Sequence, residues 1–208
     1  MTIPGDEMFN YSANRELESS AKVKALEALL IDKGVISSSS VDKILDYFET
    51  KMGPFNGAKL VAKAWKDPEF KSLLIEDCNA ACEKLDMPTG MSGAEGEIMR
   101  VAENTSSVHN LIICTLCSCY PWPTLGLPPY WFKDPTFRAR SAREPRVVLS
   151  EFGLDLDPEV EIRVWDSSGQ IRWWVLPEQP SGTDHMTEEE LASLITPESM
   201  MGVSKVVF

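Results

Sequence analysis

The spacing of apolar residues changes near residue 87, and this change most constrains the fold. Before it, apolar residues recur every three to four positions, which is the period of an amphipathic helix; examples are Leu17, Val23, Leu26, Leu29 and Leu30. After it, segments such as "EVEIRVWD" and "QIRWWVLP" alternate apolar and polar residues, which is the period of a strand. The sequence therefore predicts a helical arm over residues 1–86 and an α/β or α+β domain over residues 87–208.

Proline, glycine and short polar residues mark where individual elements begin and end. We expect helices in "SSVDKILDYFET", in "FNGAKLVAKAW" and from Pro68 onward, with Asp67 as the N-cap of the last. "EIMRVAE", "HNLIIC" and "MGVSKVVF" are predicted strands, and "SSG" predicts a hairpin between "EVEIRVWD" and "QIRWWVLP". "PTFRARSAR", "PRVVLSEF" and "EEELASLI" (capped by Thr187) are predicted helices, and "PWPTLGLPP" is predicted to be irregular.

Composition limits the possible partners and compartment. The 208 residues include 20 Lys and Arg against 32 Asp and Glu, and the net charge of −12 disfavours binding to nucleic acid and to anionic membranes. No apolar run is long enough to span a membrane, and the polar N-terminus does not resemble a secretory signal. We therefore expect a cytoplasmic protein whose five cysteines serve metal or redox chemistry rather than a disulfide framework.

Three cysteines, Cys114, Cys117 and Cys119, lie close together in "ICTLCSCYPWP". A structural zinc site usually takes four ligands in two separated pairs, and an iron–sulfur cluster also needs a fourth thiolate. An ion bound to the sulfurs of Cys117 and Cys119 would lie against the backbone nitrogens of Ser118 and Cys119. If those nitrogens lose their protons and Cys114 adds an axial sulfur, the donors suit a small trivalent ion. One coordination position then stays open for water or substrate, as in a Lewis-acid catalyst.

The other two cysteines, Cys78 and Cys82, are spaced four apart on the helix predicted from Pro68. Apolar residues surround them in the sequence, and no further ligand residues accompany them. Because small thiols are among the most buried side chains, we expect both to belong to the core.

The segment "CTLCSCYPWP" and the following "LGLPPYW" resemble the metal claw of nitrile hydratase α subunits. Further segments are similar to that family: "NGAKLVAKAWKDPEF", "ENTSSVHN", "FRARSAREPRVVLSEFG", "EIRVWDSS", "VLPEQPSGTD" and "TEEELASLITPESMMGV". The resemblance implies the family's α/β fold, an N-terminal helical arm followed by a C-terminal domain of layered sheets and helices. Thr115 and Tyr120 resemble the cobalt type of the family rather than the iron type.

The resemblance also implies the roles of the cysteines. Cys114, Cys117 and Cys119 would bind low-spin, non-corrin Co(III) through sulfur, and Ser118 and Cys119 through backbone nitrogen; Fe(III) is the alternative ion. In the family the cysteine matching Cys117 becomes a sulfinic acid and the one matching Cys119 a sulfenic acid, as expected for exposed thiolates. The resemblance therefore implies that Cys117, Ser118 and Cys119 are the catalytic positions, where metal-bound hydroxide or the Cys119 sulfenate attacks a nitrile to give an amide.

Three further residues are predicted near the ligands. Arg172 matches an arginine of the family that helps to orient the claw. The alternative, to which we give equal weight, is that Arg172 is a strand residue whose side chain faces outward. Trp122 follows the claw and either lines the substrate pocket or only packs. Glu95 replaces a glutamine of the family, and Gln170 replaces an acid that often precedes the arginine by two positions. The total charge of the residues near the metal is thus predicted to be kept, while the position of the negative charge changes.

The resemblance finally implies partners. Anionic oxidised sulfurs need hydrogen-bond donors, and in the family these are arginines of a separate β subunit. We expect activity only in a heterodimer or heterotetramer with that subunit, or with two chains corresponding to it, after metal delivery by an activator protein. Two alternatives stay open. One is the metal subunit of thiocyanate hydrolase or of a toyocamycin-type nucleoside-nitrile hydratase, and the other is a non-catalytic metal or redox module.

Overall fold

The computed structural model describes residues 13–90, 97–116 and 119–208, with side chains from residue 19 onward. Within these ranges the chain forms α-helices, one short 3₁₀ helix and four strands. The helices are α1 (Ala13–Asp32), α2 (Ser38–Thr50), α3 (Pro54–Lys66), α4 (Pro68–Glu76), α5 (Cys78–Glu83), α6 (Trp122–Leu125), α7 (Pro135–Arg143), α8 (Pro145–Glu151), α9 (Glu188–Leu194) and α10 (Pro197–Met201), with the 3₁₀ helix at Tyr130–Lys133. The strands are β1 (Ile98–Glu103), β2 (Val108–Ile113), β3 (Glu161–Asp166) and β4 (Ile171–Leu176). No helix in the described ranges combines the length and apolar character that crossing a bilayer requires.

Short polar side chains begin several helices, and Asp67 and Thr187 do so as predicted. Ser37 caps α2 by accepting the N–H of Ser40 at 3.2 Å, and Thr187 forms a capping box with Glu190 at the start of α9. Asp67 caps α4 by accepting the N–H of Phe70 at 3.0 Å. These local contacts satisfy backbone donors that the helix itself leaves unpaired.

The helix predicted from Pro68 ends earlier than expected. Asp77 leaves the helical conformation, with φ −141° and ψ 88°, and its side chain accepts the N–H of Ala80 at 3.1 Å. The chain therefore forms two helices, and Cys78 and Cys82 lie on α5 rather than on α4. A capping aspartate at the boundary explains the break, because its side chain competes for backbone donors.

The strand pairing differs from the predicted hairpin. β1 pairs in parallel with β4, and β2 pairs in parallel with β3, so the described residues form two two-stranded sheets. Ser167 lies at the crossing point between them: its N–H donates to the carbonyl of Ile113 at 2.8 Å, and its Oγ accepts the N–H of Trp173 at 3.1 Å. These two bonds direct the short connection after β3 to the other sheet, so β3 and β4 do not pair with each other.

Two further predictions were wrong. "PWPTLGLPP" contains α6, in which Pro123 occupies the first turn, where a missing N–H costs nothing. "MGVSKVVF" is not a strand, because its first residue belongs to α10 and the rest forms a turn and irregular chain. Its last two residues, Val207 and Phe208, are 81% and 71% exposed, so no neighbouring strand covers them.

One buried cluster joins helices from the first part of the chain to both sheets. Its members include side chains of α3, α4, α5, β1 and β2: Leu60, Val61, Leu74, Cys82, Met99 and Leu111. The boundary at residue 86 between a helical arm and a second domain stays a prediction. The α/β architecture is as predicted, with helices packed around parallel strands.

Candidate metal centre

The chain between β2 and α6 carries the cysteine loop, residues 114–119. Cys114 directly follows β2 and is fully buried, and Cys119 is 8% exposed at the other end of the loop. Both are thiols outside any disulfide, and both belong to the buried cluster of the protein. The other predicted ligands, Cys117 and Ser118, lie outside the described residues. The fold thus brings the two described sulfurs of the predicted site into one apolar environment.

A carboxylate at the end of β3 holds the first half of the cysteine loop. Asp166 lies opposite Ile113 in the β2–β3 register. Its Oδ1 accepts the backbone N–H of Thr115 at 2.9 Å, and its Oδ2 accepts the Thr115 hydroxyl. Asp166 was not predicted as a site residue. The signal in the sequence was an acid at the end of a strand, but only the β2–β3 pairing places it beside the loop.

The second half of the loop leads into a buried tyrosine. Tyr120 is 2% exposed, its ring meets that of Phe132 edge-on at 5.2 Å, and its hydroxyl donates to the sulfur of Met201 at 3.3 Å. Burial, with a smaller contribution from the charge of Glu198, raises the pKa of Tyr120 far above its ordinary value. The phenol is therefore neutral at physiological pH, and it anchors the loop by packing.

Helix α3 holds the segment that follows the loop. The Asn56 side chain, 5% exposed, donates to the carbonyl of Pro123 at 2.9 Å and to the carbonyl of Lys51 at 2.8 Å. Beside it, a Cβ on Gly57 would lie only 2.4 Å from the Thr124 carbonyl oxygen. This close approach requires glycine. Asn56 was not predicted as a site residue either, because the two carbonyls that it bonds lie in different parts of the chain.

Arg172 is not an outward-facing strand residue, since its side chain is only 12% exposed. Its guanidinium pairs with Glu97 at 3.0 Å and donates to the carbonyl of Ser168, in the turn before β4. Among the described residues, the buried Nε has no hydrogen-bond partner. Gln170 is exposed in the same turn. The role of Arg172 near the ligands stays a prediction, and Glu95 lies outside the described residues.

Trp122, the remaining predicted residue near the ligands, begins α6 and is partly buried against the core. The ring of Phe48, on α2, meets its indole at a centroid distance of 5.6 Å and an angle of 62°. Trp122 is thus placed close behind Cys119 and contacts a residue from the first part of the chain.

Cys78 and Cys82 are buried, as predicted, at 1% and 0% exposure. A hydrogen bond to Cys82 and burial hold the pKa of the Cys78 thiol well above its ordinary value, against the opposing effect of the Trp174 indole N–H at 3.4 Å. The Cys78 thiol therefore loses its proton less readily than an ordinary cysteine. Within residues 13–90, 97–116 and 119–208, no three His, Cys, Asp or Glu side chains could hold a metal ion together.

Comparisons with known proteins agree on one family. The family model described as "Nitrile hydratase, alpha chain" matches residues 17–204. The chain is 55% identical over 187 residues to the low-molecular weight cobalt-containing nitrile hydratase subunit alpha of Rhodococcus rhodochrous, covering 90% of this chain and 88% of the relative. It is 42% identical over 187 residues to the thiocyanate hydrolase subunit gamma of Thiobacillus thioparus, covering 86% of this chain and 76% of the relative.

A solved structure shows the same fold. A chain of an Fe-type nitrile hydratase double mutant from Comamonas testosteroni Ni1 superimposes with a TM-score of 0.82 at 40% identity. The match covers 94% of this chain and 92% of the other. The predicted α/β fold, with its helices and layered sheets, is thus confirmed.

Proposed function

The chain belongs to the nitrile hydratase α-chain family, and we propose that it is the metal-bearing α subunit of a cytoplasmic cobalt nitrile hydratase. The enzyme hydrates a small nitrile to its amide. One observation carries the proposal: two buried thiols, Cys114 and Cys119, end a single loop whose sequence is typical of the family. Relatives named as cobalt-containing support cobalt as the metal.

The donor set fits the metal. Cys114, Cys117 and Cys119 would hold the ion through sulfur, and Ser118 and Cys119 through backbone nitrogen. Thiolates are soft ligands that suit such an ion, and the bound cation would compensate the charge of sulfurs as buried as those of Cys114 and Cys119. When bound, Co(III) supplies Lewis acidity that polarises the nitrile toward attack by water.

The protein itself holds the chain at both described ends of the cysteine loop. Asp166 holds the backbone and hydroxyl of Thr115, and Asn56 holds the Pro123 carbonyl behind Cys119. Asn56 belongs to a helix of the buried core and Asp166 to a strand packed against it, so the two ends of the loop are held without substrate. Such preorganisation is the main way in which a scaffold contributes to a reaction at a fixed centre.

We further propose that Cys117 and Cys119 are oxidised to sulfinic and sulfenic acids, and that a β subunit covers them. The described surface beside the loop is apolar: Leu116 and Leu127 are 84% and 70% exposed. The Arg172 guanidinium adds little to it, since two of its nitrogens are bonded to Ser168 and Glu97 and only the buried Nε has no partner among the described residues. Arginines of the partner would supply the donors, in an α–β heterodimer or a tetramer of two such pairs.

The test is to produce the chain with its β subunit, an activator protein and cobalt. We expect about one cobalt ion per α chain and amide formation that rises until the two subunits are equimolar. Peptide masses of the loop should show that Cys117 and Cys119 together gain about three oxygen atoms, roughly 48 Da. Zinc with unmodified thiols would instead identify a non-catalytic metal or redox module.

The similarity to a thiocyanate hydrolase subunit supports a second candidate, the metal subunit of an enzyme acting on thiocyanate. The two candidates share the cysteine loop and differ in substrate, so the same preparation separates them. Comparing kcat/KM for thiocyanate, a small nitrile and a nucleoside nitrile assigns the activity. A preference for thiocyanate by a factor of ten or more, on the order of 1.4 kcal/mol, would replace our first assignment.

A further inference from the structure

Helix α2 reaches the candidate metal centre through one aromatic contact. Phe48, near the end of α2, meets the edge of the Trp122 indole at a centroid distance of 5.6 Å. Trp122 lies three positions after Cys119, at the start of α6. A side chain on α2 therefore contacts Trp122, for which the sequence leaves two interpretations, a residue that lines the substrate pocket and one that only packs.

The backbone that carries Trp122 is fixed on its other side. Asn56 donates to the Pro123 carbonyl, and the absence of a side chain on Gly57 lets α3 approach the Thr124 carbonyl closely. Pro121 and Pro123 flank the tryptophan and restrict its backbone further. These contacts hold the α6 backbone, so the main freedom left to Trp122 is the rotation of its side chain.

Helix α2 is itself attached mainly at its end. None of its residues is buried, and Phe48 is among its partly buried side chains. The carbonyl of Lys51, just beyond the helix, accepts the second hydrogen bond from Asn56. Asn56 thus ties the end of α2 to α6, which keeps the Phe48 ring in register with the indole.

We propose that Phe48 is a positioning residue that sets the orientation of Trp122 and thereby the substrate size that the enzyme prefers. The inference rests on the proposed function, since it requires a nitrile bound beside Trp122. Edge-on aromatic pairs have a preferred geometry, so removal of the Phe48 ring lets the indole turn away. The space next to the centre then widens, which favours a bulky aromatic nitrile over a small aliphatic one.

The test uses the cobalt-loaded α–β complex with acetonitrile and benzonitrile as probes. Phe48→Ala should shift the ratio of kcat/KM for benzonitrile to that for acetonitrile by about fivefold toward benzonitrile. The matched control is Ile44→Ala, which truncates an apolar side chain, 58% exposed, one turn earlier on α2. The control should leave the ratio unchanged. Partial unfolding lowers kcat for both substrates equally, so a changed ratio separates positioning from stability.

A double-mutant cycle and a spectroscopic signal complete the test. In a Trp122→Phe background, Phe48→Ala should change the ratio at most about twofold if Phe48 acts through the indole. In the complex labelled with 5-fluorotryptophan, the fluorine resonance of Trp122 is the one that the Trp122→Phe variant lacks. The chemical shift of this resonance should change in Phe48→Ala and stay the same in Ile44→Ala. An active Phe48→Ala complex with an unchanged ratio and an unmoved resonance overturns this proposal alone. A cobalt-loaded wild-type complex that hydrates no nitrile overturns the proposed function and this proposal with it.

Discussion

The first two helices and the rest of the molecule use similar apolar patterns with opposite results. In α1 and α2, Val23, Leu26 and Ile44 are 63%, 56% and 58% exposed. In α3 and α4, Leu60 and Leu74 are completely buried. An amphipathic helix needs a partner for its apolar face. For α3 and α4 that partner is the same chain, whereas for α1 we expect it to be the β subunit.

The largest effect is expected at the cysteine loop, which the buried part of the molecule holds. Cys119→Ser should abolish both activity and cobalt retention, because a hydroxyl is a poor replacement for a thiolate on this ion. Metal analysis and an amide-formation assay on the α–β complex measure the two losses. Cys82→Ala is the control: it removes a buried thiol on α5 and should keep both properties at some cost in stability. Near-normal turnover by Cys119→Ser would contradict the ligand assignment.

Truncation of apolar residues tests the contrast in burial directly. Leu74→Ala leaves a cavity in the core and should lower the free energy of unfolding by about 2 to 5 kcal/mol. Leu26→Ala, in α1, should change the stability of the isolated chain by less than about 0.5 kcal/mol, because the side chain is already exposed. Urea unfolding of the two variants measures both values. Equal losses would mean that α1 packs on the core in solution.

The same leucine should matter once the partner is present. Leu26→Asp places a charge in the interface expected for α1, so association with the β subunit should weaken by about tenfold or more. Ala21→Asp is the matched control, since it adds the same charge on the opposite side of the helix. Binding isotherms for the two variants supply the comparison. Equal affinities would show that the apolar side of α1 does not meet the partner.

The smallest effect expected is a pH dependence of stability within the core. Burial lowers the pKa of His109 below its ordinary value, the Lys205 charge adds to this, and the hydrogen bond from Nε2 to the Gly202 carbonyl, at 2.7 Å, opposes it. The unfolded chain therefore binds the proton more readily than the folded chain. The contribution of His109 to the stability of the fold is complete above the pKa of the histidine in the unfolded chain, about 6.5, and is lost as the pH falls below that value.

Unfolding curves between about pH 7 and pH 5 measure this loss. His109→Gln removes the titrating group, so its stability should vary less with pH over that window than that of the wild-type chain. Control His185→Gln removes an exposed histidine and should leave the wild-type slope. A steeper slope in His109→Gln would mean that the folded chain binds the His109 proton more readily than the unfolded chain does.

Much of the local structure could be predicted from the sequence. Asp67 and Thr187 cap helices as expected, because a cap involves residues only two or three positions apart. The cysteine spacing and its neighbouring segments also identified the family, since they lie in one short stretch of chain. Where a prediction of this local kind failed, as at Asp77, the competing signal was local too: a second capping residue inside an apolar pattern.

The tertiary structure alone decided which distant elements meet. The "SSG" connection suggested a hairpin, but β3 pairs with β2 and β4 with β1, since Ser167 bonds to both sheets. For the same reason the two anchors of the cysteine loop escaped prediction: Asp166 lies 51 positions from Thr115, and Asn56 lies 67 from Pro123. Such contacts depend on the packing of the whole core rather than on local propensity. The sequence by itself determined where the cysteines lie along the chain, and the packed core determined what holds them in place.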